Sequence, residues 1–149
     1  MLSLEQALAL RKGRKLVFTN GVFDILHAGH VQYLAAARGF GDLLIVGLND
    51  DDSVRRLNKG PNRPINPLED RAAVLEALRA VDGVIAFSED TPENLVAQLK
   101  PEVFVKGGDY TLEQLPEARI VAEYGGEVRL IKFLEGRSTT EILKRSGIE

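Results

Sequence analysis

Hydrophobic residues in this chain gather in five short runs, separated by longer stretches with a helical spacing of apolar and polar positions. The runs are rich in valine, isoleucine and leucine and are continuous, which is typical of parallel strands that are covered on both faces. Alternation of such strands with helices predicts an α/β fold. The predicted strands are residues 16–18, 43–48, 84–87, 103–105 and 128–133.

Short oxygen-bearing side chains mark the starts of several predicted helices. Such a side chain accepts a hydrogen bond from an amide that has no partner within the helix. A glutamate or glutamine three residues later completes a capping box. The pairs with this spacing are Ser3 with Gln6, Asn66 with Glu69, and Ser138 with Glu141.

Prolines add to this pattern of helices. Pro67 and Pro92 are predicted at first helical positions, where a missing N–H costs nothing. Two further helices are predicted over residues 30–38 and 112–123, and Pro116 leaves the start of the second one open. Together the caps and prolines predict helices that begin near residues 4, 67, 92 and 139.

The longest segment without a regular pattern is residues 58–66, which read NKGPNRPIN. It is too rich in glycine, proline and asparagine to continue a helix, and loops of this length are often functional. We expect it to be mobile without ligand and to become ordered when a triphosphate binds. The chain shows no repeat and no linker, so we expect residues 1–149 to form a single domain.

Composition and charge argue against several classes of function. The 19 Lys and Arg against 22 Asp and Glu give a net charge of -3, without the basic field that a polynucleotide partner requires. Because cysteine is absent, disulfides, thiolate metal sites and a cysteine nucleophile are excluded. The N-terminus does not resemble a signal peptide, and no apolar run approaches the roughly 20 residues that span a bilayer. We therefore expect a cytoplasmic protein without a membrane partner.

The segment 19–30, TNGVFDILHAGH, carries the most distinctive chemistry. It follows the first predicted strand, and in open α/β sheets ligands bind at the carboxyl ends of strands. His27 and His30, the only histidines of the chain, lie three residues apart and share a helical face. Gly29 between them allows another group to approach the backbone closely.

A lone histidine at a helix start is more often a capping or packing residue than a catalyst. Here the presence of both histidines in one loop favours ligand binding. A metal site would need a third ligand such as Asp24, and histidine ligands on one helix usually lie four residues apart, so phosphate contact is the better interpretation. The helix N-terminus favours an anion and tends to keep imidazoles neutral, and neutral donors still stabilise charge that develops on a phosphoryl oxygen.

These residues resemble the H-x-G-H signature of the cytidylyltransferase-like nucleotidyltransferases, here His27-Ala28-Gly29-His30. The blocks TNGVFDILHAGHVQYL, GLNDDDSVRRLNKGPNRPINPLEDR, VKGGDY and GRSTTEIL together resemble, more closely, adenylyltransferase domains that make ADP-heptose from heptose 1-phosphate for lipopolysaccharide. The likeness extends over nearly the whole chain. It implies a Rossmann-like, doubly wound parallel sheet of five strands with helices on both faces.

The resemblance also implies roles for individual residues of the first block. His27 and His30 are expected to contact the triphosphate and to stabilise the transition state. Asp24 has two possible roles, as an acceptor that braces the loop or as a direct participant, and it is not counted as catalytic. The residues expected to line the nucleotide side of this loop are Thr19, Asn20, Gly21, Phe23 and Gly29.

Three basic residues are candidates for binding phosphate. Lys59 matches a basic residue of the family's flexible loop, and its Gly-Pro neighbours favour a function over the usual surface lysine. Arg63 is a second candidate in the same loop. Arg71 resembles a family arginine that follows the loop, although it could equally pair with Glu69 or Asp70. Lys59 is expected to be catalytic, and Arg63 and Arg71 to bind the acceptor substrate.

Two later segments are expected to bind nucleotide. Lys106, Gly107, Gly108 and Asp109 follow a predicted strand, where Gly-Gly-Asp alone would also suit a simple turn. Ser138, Thr139 and Thr140, preceded by Arg137, begin a helix and replace the family's I-S-S/T-T stretch. At that helix one hydroxyl can cap while the others bind an anion.

The expected reaction follows from the residue types. A sugar phosphate is ionised at neutral pH, so its oxygen can attack the α-phosphorus of ATP without a general base or a covalent intermediate. Mg²⁺ is expected to be bound by the triphosphate, with few or no protein carboxylates among its ligands. No metal site of the protein itself is predicted. The resemblance further implies a homodimer. In many relatives of this kind the domain is fused to a sugar kinase, and since this sequence shows no such domain, we expect a separate sugar kinase to act upstream.

Two alternatives to this adenylyltransferase are retained. A cytidylyltransferase that acts on a phosphorylated polyol such as glycerol 3-phosphate shares most of the first block. A nucleotide-binding regulatory module would hold the ligand without turnover. A P-loop enzyme is excluded, because the sequence lacks G-x-x-x-x-G-K-[ST].

Overall fold

The structure, a computed structural model, describes residues 1–132 and 136–147 and contains a sheet of five parallel strands. This confirms the predicted α/β class and the five-stranded parallel sheet. In space the strands follow the order β3-β2-β1-β4-β5. The strands are β1 Leu16–Gly21, β2 Leu43–Asn49, β3 Gly83–Phe87, β4 Val103–Gly107 and β5 Glu127–Ile131.

Seven α-helices lie among the described residues, and none of them is long and apolar enough to cross a membrane. A 3₁₀ turn, Leu112–Gln114, precedes the sixth helix. The helices are α1 Leu4–Arg11, α2 Ala28–Arg38, α3 Asp51–Arg56, α4 Leu68–Glu76, α5 Glu93–Leu99, α6 Pro116–Glu123 and α7 Thr139–Ser146.

Helices cover both faces of the sheet because the strand side chains point alternately to two separate cores. Val17 of β1 packs in the core formed with α2 and α4, whereas Leu16 and Phe18 pack in the core formed with α1, α5 and α6. All three side chains are fully buried. Burial of each such side chain contributes about 1.5–3 kcal/mol, so the two cores hold the central strands firmly in place.

The strand order creates the position for a ligand. From β1 the chain builds the sheet outward through β2 and β3 on one side, and later through β4 and β5 on the other. In doubly wound sheets a crevice opens where the order reverses, outside the carboxyl ends of the two strands concerned. Here those strands are β1 and β4, and their carboxyl ends carry the residues from Asn20 and from Lys106 onward.

The predicted starts of α1 and α7 are confirmed, whereas the Asn66 cap predicted for α4 and the first helical positions predicted for Pro67 and Pro92 are wrong. Ser3 and Gln6 form the predicted capping box, and the Ser138 hydroxyl accepts a hydrogen bond from the Glu141 amide. Pro67 and Pro92 occupy the cap positions themselves, one residue earlier than predicted, without a side-chain cap. Asn66 lies one residue before the cap position of α4, and its side-chain NH₂ group donates to the Asp24 carbonyl.

The remaining differences from the predicted elements are local. Helix α2 begins two residues earlier than predicted. The predicted helix 112–123 is divided at Leu115 into a 3₁₀ turn and α6, and Pro116 takes the first position of α6. Helix α3 was not predicted. Strand β5 ends at Ile131, and Phe133, where the predicted strand ended, lies outside the described residues.

Candidate active site

A cavity of about 400 Å³ opens at the carboxyl ends of β1 and β4, where the fold predicts a ligand. The structure brings twelve of the predicted site residues to its wall, although they come from four separate segments of the chain. These residues are Asn20, Gly21, Phe23, His27, His30, Lys59, Arg63, Lys106, Gly107, Ser138, Thr139 and Thr140.

The turn after β1 shapes one wall of the cavity. Phe23 has a φ of 47°, in the left-handed region that side chains rarely adopt, and its ring folds back over Gly21. A Cβ at Gly21 would lie 2.8 Å from that ring, so any larger residue there would force the ring to move. The same ring lies 5.3 Å from the His30 ring, centroid to centroid. The turn therefore sets the position of His30 through Phe23.

His27 is the cap of α2 as well as part of the cavity wall. Its Nδ1 accepts a hydrogen bond of 3.1 Å from the Gly29 amide. An imidazole that accepts at Nδ1 and is neutral carries its proton on Nε2, which leaves Nε2–H as a donor. Burial, and secondly the charge of Arg137, lower the pKa of His27 and favour this neutral form. His27 can thus donate to a phosphoryl oxygen.

His30 stacks on His27 with ring centroids 4.0 Å apart. Burial, followed by the charges of His27 and Lys59, lowers the pKa of His30 to about 4. Its Nδ1 is buried and has no hydrogen-bond partner among residues 1–132 and 136–147. The expectation that both imidazoles are neutral at pH 7 agrees with these directions, and burial is the largest cause at both residues.

We expect the His30 imidazole to titrate near pH 4 in the folded protein, well below its ordinary value of 6.5. Between these two values the unfolded chain binds more protons at this site than the folded chain. The free energy of unfolding should therefore decrease as pH falls from 6.5 to 4. Side-chain NMR of the imidazole measures the midpoint directly. Lys59→Ala should raise it, and a midpoint near 6.5 in the intact protein would contradict the structure.

Lysines from two segments face the same cavity. Partial burial of its ammonium group lowers the pKa of Lys59, and the charges of Arg63 and Lys106 lower it further. Burial likewise lowers the pKa of Lys106, against the opposing charge of Glu117. The Lys106 ammonium lies 5.6 Å from the centre of the Tyr110 ring. Several cations that face one cavity favour the binding of an anion such as a phosphate.

Asp24 braces the loop that carries Lys59 and Arg63. Its carboxylate accepts from Arg63 Nε at 2.7 Å and from the backbone amides of Ile65 and Asn66, and its side chain is fully buried. Of the two roles open for Asp24, the structure shows the bracing role. Only Nε of Arg63 is engaged in this way within the described parts of the chain, so its two terminal nitrogens remain available to a ligand.

The structure keeps four of the predicted site residues away from the cavity wall. Thr19 is fully buried, and its hydroxyl lies 2.8 Å from the Val105 carbonyl. Asp109 is exposed outside the cavity. Gly29 does not line it either, but a Cβ there would lie 2.8 Å from the His27 ring, so this glycine permits the stacked histidines.

Arg71 is the fourth, and here the structure corrects the predicted contact with substrate. Its side chain is fully buried, and its guanidinium donates to the carbonyls of Val22, Asn49 and Asn66 and to the Asp51 carboxylate. Every nitrogen of the group is used inside the protein. Neither Glu69 nor Asp70, the partners considered from sequence, takes part.

Some residues of the cavity wall were not predicted as site residues, namely Val22, Asp24, Tyr33, Tyr110 and Arg137. Tyr33 follows His30 by three residues, and this spacing on one helical face could have indicated it. Tyr110 and Arg137 stand next to predicted segments. Their side-chain directions depend on tertiary packing.

The donor set of the cavity suits an anion more than a directly bound metal. The described residues contain no group of three or more His, Asp or Glu placed to hold a metal ion. Asp24 is the one carboxylate that the described residues place in the cavity wall, and it already accepts from Arg63 and two amides. Such a site fits Mg²⁺ that arrives bound to a triphosphate, since Mg²⁺ commonly keeps phosphate and water ligands.

Comparison with known proteins gives matches over most of the chain. The cytidylyltransferase-like family model matches residues 18–145. Bifunctional protein HldE of Pseudomonas paraeruginosa is 58% identical over 145 residues, which cover 97% of this chain and 30% of that protein. HldE of Geobacter sulfurreducens is 54% identical over 134 residues, covering 90% of this chain and 27% of that protein. The chain thus spans less than a third of the length of these relatives.

Solved structures agree with the fold. A lipopolysaccharide core biosynthesis protein from Thermoplasma volcanium superposes with a TM-score of 0.67 at 30% identity, covering 84% of this chain and all of that one. Pantothenate synthetase from Thermus thermophilus superposes with a TM-score of 0.62 at 18% identity, covering 90% of this chain and 61% of that one. The second likeness concerns the fold alone.

Proposed function

Because the chain belongs to the cytidylyltransferase-like family, we propose that it transfers AMP from ATP to a heptose 1-phosphate and releases pyrophosphate, forming ADP-heptose. The observation that carries the proposal is the pair of stacked, neutral imidazoles of His27 and His30 in a cavity lined with lysine and arginine. Such a site neutralises phosphate charge and offers donors at the reacting phosphorus.

The residues of the cavity can support an in-line displacement. An ionised phosphate oxygen of the acceptor attacks the α-phosphorus of ATP, and the bond to the bridging oxygen of pyrophosphate breaks with its electron pair. The leaving group departs as pyrophosphate, so the enzyme needs to transfer no proton. His27 and His30 donate hydrogen bonds to the phosphoryl oxygens on which charge develops. When bound, Mg²⁺ would neutralise part of the triphosphate charge.

The part of the cavity wall that contains Lys59 and Lys106 suits the phosphate of the acceptor. Lys59 and Lys106 act on each other electrostatically, and Asp24 fixes Arg63 by its Nε. The paired charges of Arg63 and Asp24 cancel, and Glu117 offsets part of the Lys106 charge, so the two lysines leave net positive charge for an acceptor phosphate that carries about two negative charges near neutral pH. A phosphorylated sugar therefore matches this side of the cavity.

The choice of heptose 1-phosphate rests on relatives. The curated proteins that match are named HldE, and the similar solved protein belongs to lipopolysaccharide core biosynthesis. Since the acceptor enters the site already phosphorylated, a sugar kinase reaction must precede this one. The homodimer implied by the resemblance remains part of the proposal, and light scattering in solution measures it.

A panel of two nucleotides and two acceptors tests the proposal. ATP and CTP are each combined with heptose 1-phosphate and with glycerol 3-phosphate, and pyrophosphate release is measured with Mg²⁺. We expect the highest kcat/KM for ATP with heptose 1-phosphate, since a site built around one base leaves buried groups unpaired with the other. A variant with His30→Ala, run in parallel, shows that the pyrophosphate comes from this cavity.

The other outcomes of the panel identify the alternatives. An equal or higher kcat/KM with CTP and glycerol 3-phosphate would replace the proposed enzyme by a polyol cytidylyltransferase. Nucleotide binding without pyrophosphate release from any pair would indicate a regulatory module.

A further inference from the structure

Strands β1 and β4 diverge where the cavity opens. Their pairing covers Val17 and Phe18 of β1, opposite Val103 and Phe104 of β4. The pairing of β1 with β2, by contrast, continues to Gly21, the last residue of β1. Because the two central strands separate at their carboxyl ends, backbone groups there need hydrogen-bond partners other than a neighbouring strand.

Two side-chain hydroxyl groups connect the strands just beyond this point. The Thr19 hydroxyl donates to the Val105 carbonyl at 2.8 Å, and the Tyr33 hydroxyl donates to the same carbonyl at 3.1 Å. The two hydroxyl oxygens lie 2.5 Å apart. A carbonyl has two lone pairs, so it can accept from both hydroxyls. Since Thr19 belongs to β1, Tyr33 to α2 and Val105 to β4, this one carbonyl joins three elements.

The surroundings of Tyr33 keep its hydroxyl in this position. Tyr33 is 5% exposed and packs in the core that α2 and α4 form with the sheet, and Thr19 is fully buried. Burial raises the pKa of Tyr33, so the hydroxyl keeps its proton and can donate at neutral pH. A buried polar group without a partner is costly, so the contact with the carbonyl should persist in the folded protein.

The joined elements carry two groups that must act together. His30 precedes Tyr33 by one turn of α2, and Lys106 directly follows Val105 in β4. Both His30 and Lys106 line the cavity. In the proposed reaction His30 donates to the phosphoryl group under attack, whereas Lys106 faces the phosphate of the acceptor. The separation of α2 and β4 therefore sets the distance between the attacking oxygen and the phosphorus.

Building on the proposed function, we propose that Tyr33 is a positioning residue, whose hydroxyl fixes the separation of His30 and Lys106 across the cavity. Thr19 acts together with Tyr33, since both hydroxyls bind one carbonyl. A misplacement of about 1 Å can reduce a rate by about 10², because the reacting atoms must meet in line. The two hydroxyls should therefore affect kcat far more than the affinity for either substrate.

Substitutions that remove a single hydroxyl test the assignment in the intact chain. Tyr33→Phe and Thr19→Val each remove one hydroxyl, whereas Thr19→Ser keeps it. The matched control is Tyr124→Phe. The Tyr124 hydroxyl also donates to a backbone carbonyl, that of Pro101 at 2.8 Å, but Tyr124 does not line the cavity.

We expect kcat for pyrophosphate release from ATP and heptose 1-phosphate to fall by about tenfold or more in Tyr33→Phe and in Thr19→Val. KM for both substrates should change little. Thr19→Ser and Tyr124→Phe should retain kcat. Because the two hydroxyls act through one carbonyl, the double variant Tyr33→Phe/Thr19→Val should lose little more than the larger single loss, whereas independent effects would multiply.

The titration of the His30 imidazole, followed by NMR, gives a second measurement that needs no turnover. Burial, followed by the charges of His27 and Lys59, lowers the pKa of His30 to about 4. A shift of α2 away from the sheet would reduce this burial. Tyr33→Phe should therefore raise the midpoint, and Tyr124→Phe should leave it unchanged.

The outcomes separate this inference from the proposed function. Unchanged kcat in Tyr33→Phe, a rise in KM as the main effect, or an equal loss of kcat in Tyr124→Phe would overturn the positioning role. If Tyr33→Phe does not fold, equal kcat values in Thr19→Val and Thr19→Ser would overturn it instead. If the intact chain releases no pyrophosphate, the proposed function fails, and an unchanged His30 midpoint in Tyr33→Phe then overturns the inference as well.

Discussion

His30→Ala should reduce kcat by about 10²–10³ while the protein folds normally. Deletion of one preorganised donor at a site of developing charge costs about 2.7–4 kcal/mol of transition-state stabilisation. His30 is well placed for such a role, since it stacks on His27 at 4.0 Å and its lowered pKa keeps it neutral at pH 7. KM for ATP should change little, because the stabilisation arises mainly as the bond breaks. Steady-state pyrophosphate release measures both constants.

Substitution of His30 is easier to interpret than substitution of His27. His27 also caps α2 through the Gly29 amide, so its removal would combine loss of a donor with loss of a cap. The matched control is Val31→Ala, an exposed substitution at the next position of the same helix, which should retain kcat. If circular dichroism shows a folded His30→Ala protein with the kcat of the unchanged chain, His30 has no part in the chemistry.

Arg71→Ala should lower the free energy of unfolding by about 3–5 kcal/mol, the range for removing one partner of a buried charged network. The Arg71 side chain has no solvent exposure and donates to three backbone carbonyls and to Asp51. Its removal leaves buried carbonyls without donors, each at a cost of about 1–3 kcal/mol. Urea unfolding measures the change.

A matched control separates this structural role from the substrate contact that the sequence suggested. Arg79→Ala removes an exposed arginine and should change the free energy of unfolding by no more than about 0.5 kcal/mol. If Arg71→Ala keeps the stability of the unchanged chain but binds heptose 1-phosphate more weakly, the contact predicted from sequence is right and the buried network is not essential.

Local patterns were sufficient to predict most of the sheet. The apolar runs predicted all five strands. Strands β1 to β4 are buried over most of their length and need apolar side chains there because both faces are covered, whereas the edge strand β5 is largely exposed. Helix α3 was missed even though Asp50 caps it and accepts from the Ser53 amide. Its six residues are too few for a clear helical period, so the cap with its acidic first turn was the one available signal.

The sequence by itself determined the fold class, the family and the concentration of chemistry between residues 19 and 30, since these depend on local periodicity and on motifs of adjacent residues. Tertiary structure alone decided which long polar side chains reach the cavity. Arg63 and Arg71 look equivalent in sequence. Asp24 accepts a hydrogen bond from Arg63 and holds it at the cavity wall, whereas Arg71 donates to three backbone carbonyls in the protein interior. For the same reason, Thr19 was predicted at the site but does not line the cavity, whereas Arg137 was not predicted and does line it. The direction of a side chain depends on partners that are distant in sequence, and these come together only when the chain folds.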